Sequence, residues 1–303
     1  MFEIIGKTNI DFIGMRKISF VISAVISIIG IIALIQIARG ATNMGIDFTG
    51  GTVVQLKFEQ EVPLQKSREA LARHGLKDAN LQEIKEGNKL LIKVGRNALA
   101  VGKAAQIVED TFTKELAGHP FIVESTSEIG PSIGDKLRKD TLIAIAISML
   151  AIVIYVAFRF DFKFGIGALA ATLHDILAIL AVFFLLGKEV NLLLITAVLT
   201  IAGYSLTDTV VVFDRIRENL HRDLKGSMAS IFNKSINEVL SRTIITSVTT
   251  FMAAISLFVF GGEVIHDFSL ALLVGVLIAT YSSIFVASPI VSLLEKSVVK
   301  EAV

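Results

Sequence analysis

The sequence predicts an α-helical polytopic membrane protein with six transmembrane helices and one small α+β domain between the first and second. Three observations carry this. Six stretches of about 18–27 residues are apolar and almost free of charge. Each is long enough to cross a hydrocarbon core of about 30 Å at about 1.5 Å per residue. Residues 42–135, in contrast, are polar and periodic. Finally, the chain is 53% hydrophobic with a mean hydropathy of +0.70, more apolar than a soluble domain, which averages about 45–50% with glycine counted.

Composition narrows the function classes. A net charge of +1 implies no nucleic-acid partner. The absence of cysteine excludes a disulfide framework, a thiol nucleophile and a zinc–thiolate site. Tryptophan is absent too, so an interfacial aromatic belt falls to three tyrosines, helped weakly by phenylalanine.

Taken in order, residues 1–17 form a polar tail expected in the cytoplasm. Residues 18–38 carry no charge and are expected to span. A signal peptide has an apolar core of about 7–15 residues. This one is longer, and Ala38-Arg39-Gly40 is a poor cleavage site, so the segment reads as an uncleaved anchor. In residues 42–135, positions 52–58 alternate as a strand and 62–74 as an amphipathic helix. Residues 81–85 and 89–94 flank Glu86-Gly87-Asn88 as a hairpin. Residues 98–116 are helical by pattern and stop at Gly118-His119-Pro120, and 121–127 form a last strand. The order βαββαβ predicts a ferredoxin-like domain, bracketed by turns or hinges at Gly50-Gly51 and Gly130-Pro131-Ser132-Ile133-Gly134.

Residues 140–294 are expected to hold five further spans, at about 141–158, 164–186, 191–213, 241–260 and 268–294. Between the fourth and fifth lies a loop, 214–240, in which 227–240 could form a surface helix. Residues 295–303 are a charged tail. Orientation follows from Lys and Arg in short loops. With the N-terminus cytoplasmic, Lys7, Arg16, Lys17, Arg159, Lys163, Arg215, Arg217, Arg222, Lys225, Lys234, Lys296 and Lys300 all lie inside. Only Lys188 falls in the two short outer turns. Lys136, Arg138 and Lys139 also lie outside, beside a large translocated domain where the rule is weak. Both termini are thus expected in the cytoplasm and the α+β domain outside.

Polar residues within the spans are the candidate site. A carboxylate at the centre of a membrane helix costs roughly 2.5–3.5 kcal/mol on insertion scales. Asp208 has about five apolar or small residues between it and the charged end of its span. It is either functional, or a structural hydrogen-bonder near the helix end, or a side chain that snorkels out to water. His174 and Asp175 lie about ten residues into the third span. They read equally as a pair locking helices together or as a step in a proton path, since His titrates near neutrality. Arg242 alone reads better as an interfacial anchor. It lies toward the same end of its span as Asp208, however, and a buried carboxylate wants such a partner. Thr243, Thr246, Ser247, Thr249 and Thr250 form a hydroxyl stripe that either lines a wet path or packs helices closely.

These residues sit in recognisable motifs. Residues 203–219, GYSLTDTVVVFDRIREN, resemble the fourth-span motif of the SecF family of bacterial protein-export membrane proteins (SecD/SecF, RND superfamily). Asp47-Phe48-Thr49-Gly50-Gly51 resembles that family's DFxGG motif. Gly130-Pro131-Ser132-Ile133-Gly134, Leu173-His174-Asp175 and Ser241-Arg242-Thr243 match family segments, and the likeness runs from about residue 5 to 295. The resemblance implies an RND-type half that pairs with SecD in a twelve-span assembly. That assembly associates with the SecYEG channel, with YajC and YidC, and indirectly with SecA. It implies a role in which the proton gradient helps draw unfolded exported polypeptides across the bacterial inner membrane. The residues themselves offer no nucleophile with a base, no metal-ligand cluster and no phosphate loop, and His174 with Asp175 alone is too little, so no enzymatic step, cofactor or metal is expected. The residues matching the family's proton pathway are Asp208 and Arg242. Asp214 and Arg215 belong to the fourth-span motif. An RND exporter of small molecules or lipids, or a non-transporting scaffold, are the alternatives.

Overall fold

The computed structural model describes residues 8–40, 44–84, 87–95, 103–222, 226–262 and 264–301. In chain order its elements are α1 (Arg16–Ala38), α2 (Ile46–Thr49), β1 (Gly51–Phe58), α3 (Leu64–Arg73), β2 (Asn80–Ile84), β3 (Lys89–Gly95), α4 (Ala104–Glu115) and β4 (Phe121–Ile129). Then come α5 (Pro131–Arg159), α6 (Phe162–Leu185), α7 (Leu192–Arg222), α8 (Met228–Phe260), α9 (His266–Ser282), a π-helical turn (Ser283–Ala287) and α10 (Ser288–Glu301). The chain divides into two units, residues 44–143 and residues 1–43 with 144–303.

In the smaller unit, apolar alternation makes the sheet. Val54, Leu56 and Phe58 of β1 and Leu90, Ile92 and Val94 of β3 all face one side and are buried. Leu71 of α3 and Val108 and Phe112 of α4 cover them. The four strands run antiparallel in the order β2-β3-β1-β4, with Val54 opposite Ile92 on one side and Thr126 on the other. The turn between β2 and β3 places Gly87 and Asn88 at φ 83° and 53°, as tight hairpin turns require; Glu86 lies outside the described residues. So do residues 98–102 of the expected helix, whose described part is α4. Phe112 is fully buried, with the rings of Phe58 and Phe121 6.2 and 5.9 Å away. Phe112→Ala is expected to destabilise this unit by about 3–5 kcal/mol, read as faster proteolysis within residues 44–143 of the intact protein.

Of the segment expected to be a turn or hinge, residues 130–134, all but Gly130 are instead the start of a helix. Pro131 opens α5, a position where its missing N–H costs nothing. Gly134 therefore sits in the first turns of α5, where a Cβ would lie 3.0 Å from the Gly50 backbone nitrogen. Gly50 and Gly51 adopt φ of 70° and 143°, conformations that glycine adopts without steric cost.

Among the described residues, six helices are long and apolar enough to cross a membrane. Two expected boundaries are corrected. Residues 214–240 are mostly helix rather than loop. α7 continues to Arg222, and α8 begins at Met228, its first turn capped by Ser227. The charges there conceal an apolar stripe: Ile216, Phe232 and Ile236 are buried together with Phe213. The last span is also not one regular helix. Pro289 has no N–H to give the carbonyl of Phe285, and its ring crowds that carbonyl. The helix widens into a π turn just before it, and the Phe285 carbonyl accepts from Ser19 Oγ at 3.3 Å instead.

The polar tail is partly an anchor. Phe12 and Ile13 are buried. The Ile10 and Ile13 N–H groups donate to Asn237 and Asn233 of α8 at 3.0 and 2.9 Å. The Gly14 N–H and then the Asn233 amide hold Asp11 below the usual carboxylate range. Further along, Gly30 lets α1 lie against α6, because a Cβ there would collide with the carbonyl of Leu177. Gly30→Val is expected to cost about 1–3 kcal/mol through overpacking, seen as a lower melting midpoint of the detergent-solubilised protein.

Candidate functional site

α6, α7, α8 and the sixth span bring two carboxylates into the interior of the membrane unit. Asp175 of α6 is fully enclosed. Its Oδ2 accepts from Ser205 Oγ of α7 at 2.5 Å and from Ser282 Oγ of α9 at 2.9 Å. Its Oδ1 lies 3.2 Å from His174 Nδ1. An ionised carboxylate only accepts, so Nδ1 carries the proton in that state. His174 Nε2 is buried with no hydrogen-bond partner among the described residues, and the ring of Tyr281 lies 5.9 Å away, centroid to centroid. Ser23 and Tyr281 are joined at 3.0 Å, and the Tyr281 hydroxyl donates to the Ser19 carbonyl at 2.9 Å, which ties α1 to the same place.

Asp208 of α7, one turn beyond Ser205, is 7% exposed and accepts from Ser283 Oγ at 3.0 Å. Unlike Asp175, it borders open space. A cleft of about 270 Å³ is lined by Tyr204, Thr207, Asp208 and Val211 of α7 and by Arg242, Thr243, Thr246, Thr249 and Thr250 of α8. Asp208 and Arg242 thus face one cleft, as the antiparallel geometry of their helices leads one to expect. No ion pair links them among the described residues, and the Arg242 side chain is exposed.

The hydroxyl stripe divides. Thr246, Thr249 and Thr250 line the cleft and return their protons to carbonyls of their own helix, which satisfies them where water is scarce. Ser247 packs inward, accepting from Thr280 at 2.7 Å and from Tyr204 at 3.3 Å. Thr209 is buried with a hydroxyl that lacks a hydrogen-bond partner among the described residues, and Thr243 is buried beside Asp208.

The other motif residues are not among those that line the cleft. Asp214 accepts both of its bonds from Arg159 of α5, at 2.7 Å. Arg215 donates to Glu238 of α8 at 2.7 Å and to Glu218, and Asn219 donates to Glu238 at 2.7 Å. Asp47, Phe48, Gly50, Gly51, Gly130, Pro131 and Gly134 all belong to the smaller unit. The residues that sequence reasoning missed are Ser205, Ser282 and Ser283. Their signal is faint: a small hydroxyl in an apolar helix looks the same whether it packs or bonds. The adjacent pair Ser282-Ser283, six to seven residues before Pro289, was the available clue.

Comparison with known proteins agrees with the motifs. Residues 108–297 match the family model for protein export membrane protein SecD/SecF, C-terminal, and residues 42–62 match the SecD/SecF GG motif. Protein translocase subunit SecF of Thermodesulfovibrio yellowstonii is 52% identical over 299 residues, covering 98% of both chains. The SecF subunit of Calditerrivibrio nitroreducens is 40% identical over 293 residues, covering 96% of this chain and 95% of its own. Among solved structures, SecDF of Thermus thermophilus, described as a translocon-associated membrane protein, superposes with a TM-score of 0.84 at 34% identity. That match covers 98% of this chain but 40% of the SecDF chain. SecDF in a super-membrane-facing form gives 0.69, also at 34% identity, covering 100% of this chain and 41% of the other.

Proposed function

The chain belongs to the SecF family of protein-export membrane proteins, and on that premise we propose that it is an auxiliary subunit of the Sec protein translocase that uses the proton gradient to promote late export. The observation that carries the proposal is the cleft: Asp208 and Arg242 line it together, with hydroxyls along one wall. It offers a titratable carboxylate, a fixed positive charge and a polar path, held within apolar helices.

In this reading Asp208 alternates between an ionised form that pairs with Arg242 and a protonated form released from it. The unpaired arrangement described above is one of the two. Each favours a different packing of the spans. One proton crossing 100 mV supplies about 2.3 kcal/mol. Moving an equilibrium from 1:99 to 99:1 needs about 5.5 kcal/mol. The chemical gradient or several protons must therefore supply the rest.

The second span favours a partner chain. Only 11% of its apolar window is buried, against 56% for the third span, and Ile143, Ile147, Leu150 and Tyr155 are exposed. SecD, with its own six spans, is the proposed cover, and the SecYEG channel, YajC and YidC are further proposed partners, with SecA acting indirectly. We place the protein in the inner membrane with both termini cytoplasmic. The smaller unit, read as ferredoxin-like from its βαββαβ order, would face outward to handle unfolded clients, with Gly134 among the residues linking it to the spans. No enzymatic step or cofactor is assigned. Depleting the chain is expected to slow secretion of a reporter protein, and an uncoupler is then expected to add little further slowing. An unchanged uncoupler effect in depleted cells would contradict the proton-driven role.

A further inference from the structure

Asp208 and Asp175 have no shared partner among the described residues, yet consecutive residues of the last span hold them. Ser282 Oγ donates to Asp175 Oδ2 at 2.9 Å and Ser283 Oγ to Asp208 Oδ2 at 3.0 Å. Both serines are fully buried. Each hydroxyl has one proton and a second acceptor on its own helix: the Ala279 carbonyl for Ser282 and the Thr280 carbonyl for Ser283, both at 3.2 Å. The helix changes character at this pair. The π turn Ser283–Ala287 begins here, and Ser288 Oγ bonds the Ser283 carbonyl across it at 2.9 Å. Single π turns within α-helices occur frequently at functional sites.

We propose that Ser282 and Ser283 are positioning residues that couple the two buried carboxylates, so that a change of protonation at Asp208 is passed to Asp175 through the π turn. An ionised Asp208 only accepts, which draws the Ser283 proton to it. When Asp208 takes a proton from the cleft, its new O–H donates to the Ser283 oxygen. The Ser283 proton then turns to the Thr280 carbonyl. No proton leaves the serine. The turn shifts with this exchange and carries Ser282, and so its bond to Asp175, with it. The other groups facing Asp208 are Arg242 and Thr243 from α8 and Tyr204 and Thr207 from its own helix. Those facing Asp175 are His174 and Ser205. Tyr204 and Ser205 are adjacent as well, but the Tyr204 hydroxyl donates to Ser247 at 3.3 Å, so of the two adjacent pairs only Ser282 and Ser283 each hydrogen-bond a carboxylate.

The inference rests on Asp208 carrying the proton, so the test separates the two. The complex with SecD is reconstituted in vesicles, and proton flux and the infrared C=O band of the protonated carboxyl are measured. Asp208→Asn identifies the band by removing it and abolishes flux. Ser283→Ala is expected to lower flux about tenfold and to move the band to higher wavenumber, because the carboxyl loses its hydrogen-bond partner. Ser283→Thr keeps the hydroxyl and restores both. Ser282→Ala is expected to move the Asp208 band as well, although it touches only Asp175. Asp208→Asn abolishing flux while Ser283→Ala leaves flux and band unchanged would overturn the coupling alone. So would a flux loss in Ser283→Ala that Ser283→Thr fails to restore, or an Asp208 band unmoved in Ser282→Ala. Flux surviving Asp208→Asn would overturn the coupling together with its premise.

Discussion

Asp208→Asn is expected to lower secretion of a reporter protein to the level of a deletion strain, with the abundance of this chain and of SecD unchanged. Asn keeps the size of the side chain and can still accept from Ser283, whose bond to Asp208 is 3.0 Å. What it loses is ionisation, and with it any attraction to Arg242 across the cleft. A scaffold would not notice the exchange, because the packing around the site is preserved. Reporter secretion in cells carrying only this variant, with both subunits quantified, checks the expectation. Normal secretion at normal abundance would make Asp208 structural and return the scaffold reading.

The second large effect is expected at Asp175, and on folding. Asp175→Ala removes the shared acceptor of Ser205 and Ser282 and the neighbour of His174 Nδ1. Ser282 can turn to the Ala279 carbonyl. Ser205 and His174 are left buried beside a small cavity. The cost is about 2–4 kcal/mol, expected as a lower melting midpoint and reduced membrane abundance. Asp175→Asn, which refills the space and offers an acceptor, is expected to recover most of the abundance. Equal stability of the Ala variant and the parent would show that the three-helix bond network around Asp175 contributes little.

What the sequence made legible follows from how each signal is written. The alternation at 52–58 and 89–94 has period two and one buried face, so β1 and β3 stand out. The six apolar runs are legible because lipid tolerates no other pattern at that length. Helix ends between spans were less so. From 214 to 240, Arg215 pairs with Glu238 across helices and with Glu218 along α7, and Asp214 pairs with Arg159 of α5; a charged run whose ion pairs are made within the protein looks like a solvated loop. The π turn was hidden because its cause, Pro289, acts on a carbonyl four residues back while hydropathy stays high throughout. At the site, burial cost alone singled out Asp208, His174 and Asp175. It could not place Arg242, which lines the same cleft as Asp208 from another helix, nor Ser205, Ser282 and Ser283, which contribute one proton each and no charge.

The most direct test of the account is proton flux through vesicles holding the complex of this chain with SecD, under an imposed pH gradient. Flux in the parent complex and its loss in Asp208→Asn, with the complex intact, are the results the account predicts. Equal flux in the two complexes would contradict it.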